Sequence, residues 1–110
     1  MGKEIVVLVT ASTRDEAEKI AQELVDEKLA ACVNVLGDVV SIFRWQGNVS
    51  KENEFLMIIK SVSEQLDALI KRVKQLHSYQ VPEIIALPII GGSEDYLSWM
   101  QDQTTPHTES

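Results

Sequence analysis

One cysteine, two histidines and three prolines in 110 residues leave this chain few of the residue types from which staples and reactive sites are made. Cys32 alone cannot build an internal disulfide framework, and its solitary state fits a reducing, cytoplasmic setting. His77 and His107 are the only imidazoles, so no close pair of Cys or His ligands exists to hold a metal at zinc-finger spacing. A glycine-rich phosphate loop is missing, as is a supported Ser-His-Asp order, and the chain is read as a non-enzyme. Positive charge is also scarce. Ten Lys and Arg stand against 17 acidic residues, giving a formal charge of −7 and a pI near 4.7. The bases are scattered, which argues against nucleic acid or an anionic membrane as partner. No apolar run approaches the ~20 residues of a membrane span. Ile5–Val9 is too short for a signal-peptide core, and Val6 stands where a myristoylation signal needs Ser or Thr.

What the chain does contain is periodic. Ala17, Ile20, Ala21, Leu24 and Val25 recur at helical spacing, predicting a helix over Thr13–Glu27, with Thr13 and Glu16 as a capping box. Leu66, Leu69, Ile70 and Val73 predict a second over Ser63–Leu76, with Lys71, Arg72 and Lys74 suiting its C-terminal dipole. Strands are expected at Ile5–Thr10, Cys32–Trp45, Glu54–Ser61 and Ile84–Ile90. Gly37-Asp38 marks a bend or bulge in the long second strand, and Gln46-Gly47-Asn48 turns it into a hairpin. The order β-α-β-β-α-β with right-handed crossovers gives an α+β split sandwich, a four-stranded antiparallel sheet with both helices on one face. Asp95–Met100 should add a short terminal helix or segment anchored by Tyr96 and Trp99. The expected division is one domain over residues 1–102 and a polar, frayed tail over 103–110.

Two helices cover one face of such a sheet, yet Ile5–Val9, Phe55–Ile59 and Ile84–Ile90 do not alternate. A wet second face should show polar residues at period two. Its apolar side chains therefore need a cover, either a second subunit or the hairpin or terminal segment folded back. Pro88 fits an edge strand, because it cannot donate to an internal ladder.

The densest polar stretch is His77-Ser78-Tyr79-Gln80-Val81-Pro82-Glu83-Ile84-Ile85, where an imidazole, a phenol and a carboxylate crowd the approach to an apolar strand. Together with Leu29-Ala30-Ala31-Cys32-Val33-Asn34, Ile42-Phe43-Arg44-Trp45-Gln46-Gly47, Ile58-Ile59-Lys60 and Asp95-Tyr96-Leu97-Ser98-Trp99, it resembles the CutA family of divalent-cation tolerance proteins, from about Val6 to Trp99. The resemblance implies a ferredoxin-like fold, a compact homotrimer with sheets packed inward and edge strands paired between neighbours, and a role in tolerance of divalent cations such as copper(II). Family proposals for copper use a cysteine near the end of the first strand and two histidines before the Pro-Tyr loop. At those positions this chain has Val9 and Leu76-His77, so only one imidazole is kept and binding should be weak. Ser78 stands where proline is usual, and Gln80 replaces a frequent acid.

Two sets of site residues follow. His77 and Cys32 are the candidate metal ligands, able to meet only if the fold or a subunit interface joins them; otherwise Cys32 is a small thiol in a strand. Arg44, Trp45, Lys60, Tyr79 and Glu83 are a candidate cleft for a small ligand, of the kind PII-like signalling modules place between subunits. Against that stands a plainer reading, with Lys60–Glu83 a structural ion pair and Trp45 interface core. A trimeric scaffold is the remaining class.

Overall fold

In the computed structural model, which describes residues 3–105, the order is β1 (Glu4–Ala11), α1 (Arg14–Asp26), β2 (Cys32–Trp45), β3 (Asn48–Val62), a 3-10 turn at Ser63–Gln65, α2 (Leu66–Leu76), β4 (Ile84–Pro88) and α3 (Glu94–Thr104). The strands form one sheet in the order β2-β3-β1-β4, every neighbouring pair antiparallel. This is the ferredoxin-like split sandwich that the sequence predicts. Pro88 lies on the edge strand β4, opposite Ile5, where its missing N–H costs the sheet no internal bond.

Alternation along the central strands decides which layer each side chain joins. Val7 and Val9 of β1 and Met57 and Ile59 of β3 are fully buried against Ala17, Ile20 and Leu24 of α1 and Leu69 and Val73 of α2. Each large side chain so enclosed contributes roughly 1.5–3 kcal/mol. Thr13 caps α1, its Oγ1 accepting the Glu16 amide at 3.1 Å. At the other end Lys28 takes the left-handed conformation (φ 63°), and the Leu29 amide returns to Leu24 O at 2.9 Å, a helix stop usually given to glycine. Arg72 of α2 donates through Nε to both Glu27 carboxylate oxygens at 3.0 and 3.1 Å and through Nη2 to Glu23, tying the helices together.

The bulge falls where Gly37-Asp38 predicts it, as a register shift between Leu36 and Val39 with Asp38 at φ 61°. Gly37 allows close approach here, because a Cβ at this position would lie 2.9 Å from the Phe55 ring and 3.1 Å from the Arg14 guanidinium. Beyond the bulge β2 and β3 continue as a bare two-stranded arm to a turn in which Gln46 (φ 51°) and Gly47 (φ 84°) both take positive φ, the type I′ geometry of tight hairpins. The arm stretches the molecule to 51 Å against 29 and 22 Å across.

Three element ends differ from expectation. β3 starts at Asn48 rather than Glu54, because its polar outer half is paired residue by residue with β2. β4 stops at Pro88 instead of running to Ile90, with one further bond to β1 from the Ile89 amide to Glu4 O at 3.0 Å. The terminal helix continues through Thr104 instead of fraying after Gln101: Met100 is fully buried, Thr104 Oγ1 donates to Met100 O at 2.8 Å and Gln65 Nε2 caps Thr104 O at 2.8 Å. The remaining tail positions, 106–110, lie outside the described residues, His107 among them.

α3 supplies part of the missing cover. It lies across the sheet face opposite α1 and α2, with Gln101 Nε2 donating to Glu4 Oε2 at 2.6 Å and Tyr96 beside Cys32. Further along that face Leu36, Ile85 and Leu87 stay about half exposed.

Candidate functional site

The loop from α2 to β4 is fixed by four elements at once. The His77 amide still bonds Val73 O at 2.8 Å, and the backbone then turns extended, sending the imidazole under the end of β1. There Nε2 lies 2.6 Å from Thr10 O, while Nδ1 lies 3.0 Å from the Tyr79 amide. A carbonyl only accepts and an amide only donates, so the ring is the Nε2–H tautomer and its one lone pair faces Tyr79 N–H.

Glu16, in the first turn of α1, grips the same loop. Its Oε2 accepts the Ser78 amide at 2.6 Å and lies 3.6 Å from His77 Nδ1. Partial burial raises this carboxyl, but the Ser78 amide, with help from His77, outweighs that and holds it below the ordinary glutamate value. On the other side the Tyr79 ring packs against His77, tilted by 44° with centroids 4.7 Å apart, and donates its hydroxyl to Glu54 Oε2 at 2.7 Å. Glu54 is buried, at 6 % exposure. Burial first, then the hydrogen bond and charge of Glu54, push the Tyr79 phenol from 10.0 to about 12, with Glu16 and Glu52 adding to the effect. The result is a latch: Thr10, Glu16 and Glu54 hold His77, Ser78 and Tyr79 where the chain enters β4.

The candidate ligands and cleft residues are spread along the sheet. Cys32 pairs with Lys60, and Lys60 with Val6, whereas Thr10, which holds His77, pairs with Leu56. That four-residue offset along β3 is ~13 Å at strand rise, so Cys32 and His77 do not meet within the chain. Tyr96 lies over Cys32 instead, its hydroxyl raised by burial and by the neighbouring thiol. Lys60 Nζ donates to Asn34 Oδ1, and no ion pair with Glu83 forms among the described residues. Glu83 is exposed just ahead of β4. Arg44 and Trp45 sit at the arm tip, opposite Val49 and Asn48, five and six residues, or ~17–20 Å, beyond the level of Glu54. No trio of His, Cys, Asp or Glu among the described residues is grouped to hold a metal.

Sequence reading missed Glu16 and Glu54 as members of this cluster. Glu16 was legible only as a capping residue. Glu54 carried one signal, an acid abutting the apolar run Phe55–Ile59. Thr10 acts through its carbonyl, which no side-chain pattern encodes.

Comparison with known proteins agrees with this architecture. Residues 5–103 match the family model for the CutA1 divalent ion tolerance protein. The divalent-cation tolerance protein CutA of Thermus thermophilus is 46% identical over 101 residues, covering 92% of this chain and 98% of that protein. The chloroplastic protein CutA of Arabidopsis thaliana is 46% identical over 100 residues, 91% of this chain and 55% of that longer protein. The crystal structure of CutA1 from Oryza sativa superposes with a TM-score of 0.92 at 43% identity, covering 96% of each chain. A ferredoxin-like sheet with a long β2–β3 arm, and matches of this extent, establish that the chain belongs to the CutA family of divalent-cation tolerance proteins.

Proposed function

We propose that this protein serves divalent-cation tolerance as a non-enzymatic homotrimer in a reducing, cytoplasmic setting, meeting copper(II) or a similar ion only weakly. The observation that carries the reading is uncovered apolar surface. Ile42, Val49 and Ile85 are 68%, 63% and 51% exposed, on an arm and a sheet face that a lone chain would leave wet. An isolated two-stranded hairpin is marginal in water, and a partner covering such residues gains roughly 1.5–3 kcal/mol for each one fully buried. Weak metal contact follows from His77: an ion reaching its lone pair must displace the Tyr79 amide, with no second imidazole or thiolate grouped beside it among the described residues. A small-ligand cleft would likewise need a neighbour, whose arm tip would have to bring Arg44 and Trp45 to Tyr79 and Glu83.

Calorimetric titration of the assembled protein with copper(II) tests the metal part. Binding no tighter than about micromolar, weakened further in His77→Ala, is the expected result for a single nitrogen ligand. Submicromolar binding that survives His77→Ala would overturn it.

A further inference from the structure

The second face of the sheet carries a cation among apolar neighbours. Val7, Val9, Met57 and Ile59 turn to the helices, so the residues between them along β1 and β3 turn the other way. On that face the register sets Lys60 between Cys32 and Val6, in a row that ends at Leu87. The next two rows, through Ile58 and Leu56, hold no charged residue. Lys60 is half-buried, its Nζ donates to the neutral Asn34 side-chain oxygen, and it takes part in no ion pair among the described residues. The nearest acid by register is Glu4, one row away, and its carboxylate accepts from Gln101 instead. Other donors gather at the same end of the face. The Tyr96 hydroxyl lies beside the Cys32 thiol, directly opposite Lys60 in the ladder, and Asn34, its oxygen held by Lys60, keeps its N–H groups for another acceptor.

We propose that Lys60, Asn34 and Tyr96 form a site for a small carboxylate anion on the second sheet face, beside α3. The inference rests on the assembly reading above and deepens it, because covering this face takes Lys60 out of water with no carboxylate paired to it. An ammonium buried in that way is costly unless an anion accompanies it. Size selects a small ligand: α3 already lies over Cys32 and Glu4, so whatever reaches Lys60 has a helix on one side of it. Charge and hydrogen bonding select a carboxylate, since an ammonium flanked by a phenol and an amide offers one positive charge and several donors to a singly charged group that only accepts.

Saturation-transfer NMR on the methyl group of acetate tests the site, with the full-length protein and with chloride holding the ionic strength constant. Acetate should give a saturable signal with half-saturation in the millimolar range. Lys60→Met should weaken binding by about tenfold or more, and Tyr96→Phe by about two- to tenfold, as expected for the loss of a charged and of a neutral hydrogen bond. Lys71→Met, which removes an exposed lysine of α2, should leave binding unchanged. Absence of a saturable signal from the unaltered protein, or equal binding by the unaltered protein and Lys60→Met, would overturn the site. Should Lys60→Met fail to fold, Tyr96→Phe decides, and undiminished acetate binding in that variant overturns the site as well. Light scattering on the same samples keeps the two readings apart: assembled protein without a Lys60-dependent signal removes the anion site alone, whereas a single chain removes the assembly reading on which it rests.

Discussion

Tyr79 links the loop to the sheet through one hydroxyl, and the direction of its pKa shift makes that link measurable. With the folded phenol pushed from 10.0 to about 12, the native state keeps a proton that the unfolded chain releases. Its contribution is therefore complete below pH 10 and is lost as pH rises toward about 12. Glu16 has the opposite sign. Its folded carboxyl lies below the ordinary 4.5, so its contribution is present above that value and fades as pH falls through the lower folded one. Urea unfolding at several pH values should show an alkaline decline that flattens in Tyr79→Phe and an acid decline that flattens in Glu16→Gln. Identical alkaline slopes in Tyr79→Phe and the unaltered protein would deny the Tyr79–Glu54 link. At this scale the sequence was half legible. The polar crowding of residues 77–83 located the loop, but Glu16 and Glu54 reach it from 62 and 25 residues away in sequence, beyond any local pattern.

Elements whose ends depend on their own residues were read most closely. Thr13 caps α1, Gly37-Asp38 bulges β2, and Gly47 sits in the hairpin turn, each through local backbone chemistry. The outer half of β3 was not legible, because Ser50, Lys51, Glu52 and Asn53 have no apolar alternation and become strand only by pairing with β2. α3 outran its expected end for a similar reason, its last turn being held by Gln65, 39 residues upstream. Gly37 offers the clearest test of an element-level claim. Gly37→Ala places a methyl against the Phe55 ring and the Arg14 guanidinium stacked 5.0 Å over it. Overpacking of this kind costs about 1–3 kcal/mol, so the urea midpoint should fall. A midpoint at or above that of the unaltered protein would mean that the bulge does not need the glycine.

For the whole molecule, the sequence stated the problem more clearly than its solution. Apolar residues on both faces of β1, β3 and β4 required a cover beyond two helices, and two covers remained open. α3 takes one end of the second face, over Cys32 and Glu4, and leaves Leu36, Ile85, Leu87 and the arm exposed. Under the proposed assembly, neighbouring copies would bury them. Light scattering on dilute protein, coupled to size exclusion, tests that claim most directly. The account predicts a mass three times the 12.3 kDa of one chain, held at micromolar concentration; a mass of one chain under the same conditions would contradict it.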